Sequence, residues 1–447
     1  MSDFPLPVEF VTRIKNDEFI DADALMLSME SDTPSSIRLN PLKSKSDLPI
    51  NSAISWCSNA FLLKHRPSYV RDPLFHAGAF YPQEAGSMFL ETVLNQLSIK
   101  EFPKILDLCA APGGKSTLIA SWLNGKGILV SNEVVHARSK ILKENMVKWG
   151  AQNTFVSNND PADFAELKSY FDVVVVDAPC SGEGMFRKDP ASRAHWSEDN
   201  VANCVVRQKK ILSDIWECIQ PGGYLIYSTC TLNRFENEDN VQWAVDELGA
   251  EIVPISKGEF KEGREGIGCY AFPNLLETEG FFIAVLQKRH SEYEAITPKK
   301  KDRSDVTIVK DLSPITDFGL DPNALYYQWK EYVFTANIQF IEDVKLLHAN
   351  LRLSKMGTEI GQYSRKGIIP NEALALSPAI SKNNWQQLEV SLEQALSYLK
   401  GETFSLDGKK GYTLICYKNE PLGWINHLGN RFNNLYPKDW RIRMRLE

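Results

Sequence analysis

The sequence lacks any long uninterrupted run of apolar residues, which excludes a membrane protein built on spanning helices. A helix that crosses a bilayer needs about 18 consecutive apolar residues, and no stretch among the 447 residues approaches that length. The chain also begins without a basic segment followed by an apolar one, so no secretory signal is visible. We therefore expect a soluble, cytoplasmic protein without a membrane partner.

The cysteine pattern excludes a metal cluster or a disulfide framework as the basis of the fold. None of the eight cysteines shows the short paired spacings of a zinc site or of a small secreted scaffold. We therefore expect reduced thiols and no bound metal. Acidic residues outnumber basic ones, and the formal net charge is −7. Any site for nucleic acid must be a local patch rather than a property of the whole surface.

What the chain does contain is a central region in which extended apolar segments alternate with helical ones. Between residues 101 and 290 the predicted helices are 136–149 and 237–248, and the predicted strands are 105–109, 128–132, 154–157, 171–177, 224–227 and 280–286. The strand FDVVVVD (171–177) carries four consecutive valines, which is typical of burial on both faces. This alternation predicts an α/β fold with a parallel sheet covered by helices.

The flanking regions divide into a cap, a linker and two further units. Residues 1–100 mix helical and extended patterns, as in an α/β cap, with a helix predicted over 83–96. Residues 291–310 are polar and charged, which is typical of a linker. An aromatic-rich intermediate unit, 311–382, precedes the last unit, 383–447, where cations alternate with aromatic rings. Cations bind phosphates and rings stack on bases, so this end is either an RNA-binding module or an ordinary solvated terminus.

A glycine turn at Gly113 and Gly114 follows the first predicted strand and begins a helix, as in a phosphate-binding loop. Such a loop also needs a glycine five positions before Gly114, where this chain has Cys109, which disfavours a nucleoside triphosphatase. Glu133 and Asp160 follow the next two strands and suit a ribose diol and an adenine amino group. Either acid alone would be read as a helix cap or a solvated side chain. Together they predict a nucleoside-bearing cofactor without a triphosphate, and S-adenosylmethionine is the candidate.

Two cysteines, Cys180 and Cys230, each follow a predicted strand, and Asp177 ends the first of these strands. Ligands bind at the carboxyl edge of parallel sheets, so both thiols are expected at a site. A thiolate suits attack on a soft electrophilic carbon such as carbon 6 of cytosine, and the adduct activates carbon 5 for methylation. A second thiol or a nearby base could then assist release. Cys109 is expected to line the cofactor turn, and burial without chemistry is expected for Cys57, Cys204, Cys218, Cys269 and Cys416.

Three motifs carry a resemblance to a known family: DLCAAPGGKST (107–117), DAPCSGEG (177–184) and STCT (228–231). With them the chain resembles the Nop/Sun-type (RsmB-related) RNA cytosine-C5 methyltransferases. Over its whole length it is most similar to the RsmF-like small-subunit ribosomal RNA methyltransferases of bacteria. Further matching segments are LPVEF near the start, IRLNPLK (37–43), FYPQEAGSM (80–88) and LGNRFNNLYP (428–437).

The resemblance implies an S-adenosylmethionine-dependent enzyme that makes 5-methylcytosine in 16S ribosomal RNA. Its partner would be ribosomal RNA or the small ribosomal subunit, and we expect a monomer. The implied fold is a Rossmann-like core with a mostly parallel seven-stranded sheet, an N-terminal α/β cap and a C-terminal PUA-like β module. The same reaction on transfer RNA remains an alternative, as does a non-catalytic ribosome assembly factor. Retention of both cysteines and both cofactor acids favours the enzyme.

The resemblance also implies roles for individual residues. Cys230 would be the attacking nucleophile and Cys180 would help release the product, with Asp177 and Lys115 in the same catalytic group. The implied cofactor-binding residues are Cys109, Ala110, Ala111, Pro112, Gly113, Gly114, Lys115, Glu133, Asp160 and Asp177. One segment departs from the family pattern, because Phe272-Pro273-Asn274 stands where relatives have Trp-Pro-His or Tyr-Pro-His. The ring of Phe272 is kept, which predicts a packing role for it.

Overall fold

The computed structural model describes residues 4–289, 304–378 and 382–444. The predicted linker, 291–310, therefore lies outside the described residues except for 304–310. Within the described ranges, no helix is long and apolar enough to cross a membrane.

The N-terminal part combines short helices with a small antiparallel sheet of order β2-β3-β1-β4. Its strands are β1 (Ser36–Leu39), β2 (Ile50–Ala53), β3 (Ala60–Leu63) and β4 (Phe80–Pro82), and its helices are α1 (Val8–Lys15), α2 (Ala22–Met29), α3 (Pro73–His76) and α4 (Leu90–Gln96). The helix predicted from residue 83 begins later, with a 3₁₀ turn at Gly86–Phe89 that leads into α4. The reason is local, because the Glu84 carboxylate accepts the N–H groups of Gly86 and Ser87 and caps this start.

One large sheet forms the centre of the molecule. Its first nine strands are β5 (Lys104–Asp107), β6 (Ile128–Asn132), β7 (Thr154–Ser157), β8 (Phe171–Asp177), β9 (Ile219–Thr229), β10 (Ala250–Val253), β11 (Lys261–Glu262), β12 (Cys269–Ala271) and β13 (Phe281–Lys288). The helices of this region are α5 (Gly114–Leu123), α6 (His136–Trp149), α7 (Glu198–Trp216) and α8 (Glu238–Leu248). Strands β7, β6, β5, β8 and β9 are parallel in that order, and β13 pairs antiparallel with β9. The predicted Rossmann-like α/β core is confirmed.

Two smaller sheets follow in the C-terminal third. Their region contains β14 (Thr307–Ile308), α9 (Ser313–Asp317), β15 (Tyr326–Trp329), β16 (Tyr332–Thr335), α10 (Ile341–Asn350), β17 (Leu353–Met356), β18 (Thr358–Ser364), β19 (Gly367–Pro370), α11 (Glu372–Leu376), β20 (Gln386–Glu389), α12 (Leu392–Lys400), β21 (Gly411–Tyr417), β22 (Glu420–His427) and β23 (Phe432–Asn434). One sheet has the order β14-β15-β16-β18-β19 and the other β20-β21-β22-β23.

Strand β17 lies between β16 and β18 in the sequence but belongs to the central sheet, where it pairs antiparallel with β7. Among the described residues the central sheet therefore has ten strands, where seven were predicted. Four neighbouring pairs are parallel, and the pairs of β10, β11, β12, β13 and β17 are antiparallel, so the sheet is mixed. The segment LSKM of β17 is too short and too polar for its pairing to be read from the sequence.

The valine run of β8 explains how the sheet positions its carboxyl edge. Val173 and Val175 belong to the hydrophobic cluster on one face, and Val174 and Val176 to the cluster on the other. All four are fully buried. Burial of each valine side chain contributes roughly 1.5–3 kcal/mol, so the strand is held firmly from both sides up to Asp177.

Candidate active site

The two cysteines singled out by the sequence meet at the carboxyl edge of the central sheet. Strands β8 and β9 are parallel neighbours, and their register sets Asp177 opposite Ser228. Pairing continues one residue further, where Ala178 N–H donates to Ser228 O at 2.8 Å. Cys180 and Cys230 thus leave the sheet from adjacent strand ends, and their Sγ atoms are 3.0 Å apart.

The surroundings of the pair hold Cys180 in its protonated form. The hydrogen bond with Cys230, together with burial, raises the pKa of the Cys180 thiol well above its ordinary value. A protonated Cys180 can donate its S–H to Cys230 Sγ. Cys57, Cys204, Cys218, Cys269 and Cys416 are free and buried, so the burial expected for them is confirmed.

Lys115 and Asp177 form an ion pair beside the cysteine loops. Lys115 Nζ lies 2.8 Å from Asp177 Oδ2, and Ser228 Oγ donates to Asp177 Oδ1 at 2.8 Å. The same Nζ lies 5.0 Å from the centre of the Phe281 ring. The lysine side chain is only 10% exposed whereas the aspartate is 38% exposed, so the carboxylate remains accessible from the open side of the site.

Two buried glutamates, which the sequence analysis missed, tie the cysteine loops to each other. Glu183, in the loop after Cys180, accepts the N–H of Leu232 at 3.2 Å from the loop after Cys230. Glu236 makes the reciprocal connection, because it accepts the N–H of Ser181 at 2.9 Å and also the Ser181 hydroxyl. The relative position of the two thiols is therefore fixed by bonds in both directions.

Asn233 links these two carboxylates. Its Nδ2 donates to Glu183 Oε1 at 2.9 Å and to Glu236 Oε1 at 2.7 Å. Gln208 of α7 adds a bond of 2.9 Å to Glu236 Oε2. The sequence signal for this network was the position of Glu183 within the first cysteine motif and of Asn233 and Glu236 shortly after the second. That pattern is equally typical of solvated loops.

A close contact between two glycines also shapes the site. Gly184 N–H donates to Cys230 O at 2.9 Å, and Gly280 N–H donates to Gly184 O at 3.2 Å. A β-carbon on Gly184 would lie 2.3 Å from Gly280 O, which is far inside van der Waals contact. The second glycine of the GEG segment is therefore required by the approach of the β13 entry to the cysteine loop.

The glycine turn joins β5 to α5 at the same edge of the sheet. Gly113 has φ of 118°, in the left-handed region that favours glycine, and α5 begins at Gly114. The first N–H groups of a helix lack partners within the helix, so they are available to a ligand. Cys109 and Ala110 open this turn, and Ala110 N–H donates to Asn132 O at 2.8 Å.

Three polar residues that the sequence analysis missed support the turn from outside. Arg138 donates to Ala111 O at 2.8 Å, and Asn145 donates to Pro112 O at 2.8 Å. Arg38, which is buried, donates to the first turn of α5 at Gly114 O. Each of these bonds satisfies a main-chain carbonyl oxygen of the turn or of the first turn of α5. Together they help to hold the turn in place.

At the base of the turn, Asp107 has an unsatisfied oxygen. Its Oδ2 accepts from Ser116 Oγ at 2.6 Å, while Oδ1 has no hydrogen-bond partner among the described residues. Burial raises the pKa of this carboxyl to about 7. A buried polar atom without a partner is uncommon and indicates a position at which a ligand or a bound group could be accommodated.

Glu133 and Asp160 lie after β6 and β7, as predicted. Glu133 is buried and accepts the N–H of Val135 at 2.9 Å, with Arg138 at 3.3 Å. Asp160 is exposed and caps a short 3₁₀ helix through the N–H of Ala162 at 3.0 Å. Both acids thus have structural bonds, yet a carboxylate oxygen can accept a second hydrogen bond. The turn, the unpartnered Asp107 oxygen and these acids lie at the carboxyl ends of the neighbouring strands β5, β6 and β7, an arrangement called the cradle here. Their donor and acceptor groups are of the kind that a nucleoside-bearing cofactor needs.

In the segment that departs from the family pattern, Phe272 has a packing role. Phe272 is buried and stacks on Tyr270 with a centroid distance of 5.2 Å. Tyr270 is itself fixed by a 2.7 Å bond from its hydroxyl to Glu238. The predicted packing role of Phe272 is confirmed.

Comparisons with known proteins agree with this geometry. Residues 94–287 match the family described as 16S rRNA methyltransferase RsmB/F, residues 6–85 the N-terminal domain of 16S rRNA methyltransferase RsmF, and residues 386–442 the methyltransferase RsmF PUA domain. The ribosomal RNA small subunit methyltransferase F of Shewanella sp. (strain ANA-3) is 32% identical over 96% of this chain and 94% of its own length. The chain belongs to the RsmF family of 16S ribosomal RNA methyltransferases.

Other relatives extend the comparison. The methyltransferase F of Shewanella oneidensis is 31% identical over the same shares of both chains, 96% and 94%. A solved methyltransferase homologue from Pyrococcus horikoshii is 29% identical, has a TM-score of 0.54, and covers 63% of this chain and 94% of its own. NSun6 from Pyrococcus horikoshii, solved with SFG, has a TM-score of 0.54 at 21% identity, covers 63% of this chain and 97% of its own, and supports the fold alone. By family the chain is an S-adenosylmethionine-dependent ribosomal RNA methyltransferase with a PUA domain.

Proposed function

We propose that this chain methylates carbon 5 of a cytosine in 16S ribosomal RNA through a covalent adduct between Cys230 and carbon 6. The observation that carries the proposal is the 3.0 Å contact between Cys180 Sγ and Cys230 Sγ at adjacent strand ends. Asp177, which is paired with Lys115, ends the strand that leads into the Cys180 loop. A methyltransferase that acts on an amino group would need neither thiol.

The chemistry requires a nucleophile because carbon 5 of cytosine is a poor acceptor of a methyl group. Addition of Cys230 Sγ to carbon 6 forms a C–S bond and moves the ring electron pair towards carbon 5. S-adenosylmethionine supplies the methyl group in electrophilic form. Loss of the carbon 5 proton then restores the ring double bond as the C–S bond breaks.

Cys180 is suited to the release step. Its raised pKa keeps the thiol protonated, with Cys230 Sγ in range to accept that proton. We propose that the carbon 5 proton moves to Cys180 Sγ while the thiol proton of Cys180 passes to Cys230 Sγ, in the same step in which the C–S bond breaks. Cys230, which attacks as a thiolate, leaves this step as a thiol, and Cys180 remains a thiol. Cys230 then returns one proton to solvent before the next turnover, which accounts for the proton lost by carbon 5. Asp177 and Lys115 complete the catalytic group through their ion pair next to the thiols.

We further propose that S-adenosylmethionine is held in the cradle at the ends of β5, β6 and β7. Glu133 would accept the ribose hydroxyls, and Asp160 would accept the adenine amino group. The other proposed contacts are Cys109, Ala110, Ala111, Pro112, Gly113, Gly114, Lys115 and Asp177. The left-handed turn at Gly113 and the unpartnered Asp107 oxygen support this assignment.

The division of the chain follows from the same proposal. We propose a methyltransferase domain at 101–290, with residues 1–100 and 383–447 directing the RNA to it. The linker 291–310 and the intermediate unit 311–382 would connect these parts. We propose the cytoplasm as the location of the enzyme, because its proposed substrate is ribosomal RNA.

The test uses the full-length chain, labelled S-adenosylmethionine, and 16S ribosomal RNA offered both as a free transcript and in isolated small subunits. We expect label in 5-methylcytidine after nuclease digestion. Cys230→Ala should abolish transfer with cofactor binding nearly unchanged, while Cys416→Ala, which alters a buried thiol of the C-terminal sheet, should retain it. Turnover of even a few per cent by Cys230→Ala would contradict the assignment.

A further inference from the structure

Strand β17 brings the intermediate unit to the edge of the cofactor cradle. It pairs antiparallel with β7, and Leu353 lies opposite Ser157, the last residue of β7. The segment 158–163, called the adenine loop here, follows β7 and carries Asp160, the acid proposed to accept the adenine amino group. We propose that Arg352, directly before β17, is a positioning residue that holds the adenine loop in the geometry needed to bind adenine. The inference rests on the proposed function and gives the intermediate unit a role in cofactor recognition.

The main chain of Arg352 is bonded to the adenine loop in both directions. Asn158 N–H donates to Arg352 O at 3.1 Å, and Arg352 N–H donates to Asn159 Oδ1 at 2.9 Å. Asn159 is buried, and its main chain exchanges two bonds of 3.0 Å with the Asn132 side chain at the end of β6. The two residues before Asp160 are therefore held between β6 and the start of β17.

The side chain of Arg352 reaches Asp160 through Asp163. Arg352 Nη2 lies 2.9 Å from Asp163 Oδ2. The same oxygen accepts Asn159 Nδ2 at 2.8 Å and the N–H of Asp160 at 3.2 Å, while Asp163 N–H donates to Asp160 O at 3.0 Å. The hydrogen bonds from Asn159, Asp160 and Arg352 lower the pKa of the Asp163 carboxyl, so it stays charged and can accept all three. Asp163 thus joins the guanidinium to both sides of the Asp160 main chain.

The same network reaches the second acid of the cradle. Asn158 Nδ2 donates to Glu133 O at 2.7 Å and to Val134 O at 3.0 Å. Adenine and ribose are parts of one ligand, so the acids proposed for them must keep a fixed separation to bind both. Hydrogen bonds behind the binding residues maintain such a separation. The bonds that begin at Arg352 therefore connect both acid-bearing loops.

The ion pair of Arg352 is too exposed to contribute much to global stability. The arginine side chain is 71% exposed and that of Asp163 is 40% exposed, and such pairs typically contribute little. A hydrogen bond to adenine, in contrast, weakens steeply when its angle or length changes. Loss of the arginine should therefore impair adenine recognition while the unfolding midpoint changes little.

The test compares the binding of two ligands to the full-length chain by titration calorimetry. One is S-adenosylhomocysteine, and the other is its purine analogue, in which hydrogen replaces the 6-amino group of the base. Only the first can donate an amino hydrogen bond to the Asp160 carboxylate. The ratio of the two dissociation constants thus measures the adenine contact, whereas general damage to the cradle weakens both ligands alike. The unfolding midpoint of each variant is measured in parallel.

We expect the wild type to prefer S-adenosylhomocysteine by about tenfold or more, as for a hydrogen bond to a charged group. Arg352→Ala should reduce this preference by roughly two- to fivefold, and Arg352→Lys should restore most of it. Asp163→Asn should also reduce the preference, and adding Arg352→Ala should cause no further loss, since the charge that attracts the arginine is already absent. Arg365→Ala, which removes an exposed cation from the turn between β18 and β19, is the control and should behave as the wild type.

An unchanged preference in Arg352→Ala would overturn the inference and leave the proposed function intact. A lower unfolding midpoint with equal weakening of both ligands would also overturn it, because the role of Arg352 would then be structural. If the wild type binds both ligands equally well, the proposed contact of Asp160 with adenine fails, and the inference fails with it.

Discussion

Arg13 Nη2 lies 2.5 Å from Glu183 Oε1 and joins the first helix of the chain to the loop that follows Cys180. Glu183 is fully buried, and the guanidinium of Arg13 also lies 5.2 Å from the centre of the Trp196 ring. Helix α1 is thus part of the support of the thiol site, although 170 positions separate the paired residues. The N-terminal part therefore also holds the loop that follows Cys180.

The first prediction concerns this ion pair. Arg13→Ala leaves a buried carboxylate without its cation, and loss of one partner of a buried pair typically costs about 3 kcal/mol. We expect a lower thermal unfolding midpoint and a slower methyl transfer. Lys15→Ala, on the exposed side of the same helix, should change neither quantity. An unfolding midpoint equal to that of the wild type in Arg13→Ala would show that α1 does not support the loop.

The second prediction concerns the cofactor cradle. Glu133→Gln keeps the shape of the side chain but removes the charge proposed to face the ribose. Hydrogen bonds to charged groups contribute about 1.5–3 kcal/mol, so S-adenosylmethionine binding should weaken by roughly ten- to a hundredfold in calorimetry. Glu144→Gln, which alters a carboxylate paired with Lys148 on α6, is the matched control. Unchanged affinity in Glu133→Gln would remove this residue from the cofactor site.

The third prediction uses the close contact of Gly184 with Gly280. In Gly184→Ala the new methyl group must displace the Gly280 main chain, because its ideal position is 2.3 Å from that carbonyl oxygen. We expect a stability loss of about 1–3 kcal/mol and a large loss of methyl transfer, since the Cys230 loop moves with Gly184. Gly182→Ala is the control, because its φ is 76° but no atom lies within 4 Å of the added β-carbon, so only backbone strain of roughly 1–2 kcal/mol applies. Equal activity of the two variants would contradict the steric argument.

The fourth prediction follows from Asp107. Its pKa rises from an ordinary value of 3.8 to about 7 in the folded chain, so between these values the folded state holds a proton that the unfolded state has lost. Stability should therefore fall as pH rises from about 4 to about 7, and should not change further above that range on account of this group. Asp107→Asn removes the titration. We would measure the unfolding midpoints of the variant and the wild type without cofactor. As pH rises across this interval, the midpoint of the variant should increase relative to that of the wild type. A difference between the two midpoints that does not change with pH would contradict the assignment.

The central fold was predictable where a pattern is local. Strands β6 and β7 and helix α6 have the predicted bounds, because apolar runs there are closed by turn residues on both sides. Strand pairing between segments that are distant in the sequence was not predictable. The four residues of β17, for example, show no hydrophobic pattern that would indicate β7 as their partner strand. The start of the helix near residue 86 also depended on the orientation of one side chain, that of Glu84.

The reactive residues of the candidate site were predictable from the sequence, but the residues that hold them in position were not. Cys180 and Cys230 could be placed at strand ends from the sequence, because buried parallel strands end at one edge. Their 3.0 Å separation required the knowledge that β8 and β9 are neighbours. Glu183 and Glu236 look like solvated acids in the sequence, and only the folded structure shows that they are buried and link the two cysteine loops.

The most direct test of the account is a search for a covalent intermediate. Cys180→Ala protein is mixed with S-adenosylmethionine and 16S ribosomal RNA, denatured, and examined for RNA that stays attached to the chain. We predict a denaturation-resistant adduct, because attack by Cys230 is retained while release is impaired, and we predict its loss when Cys230→Ala is added. Normal methyl transfer by Cys180→Ala with no adduct would contradict the proposed division of roles between the two thiols.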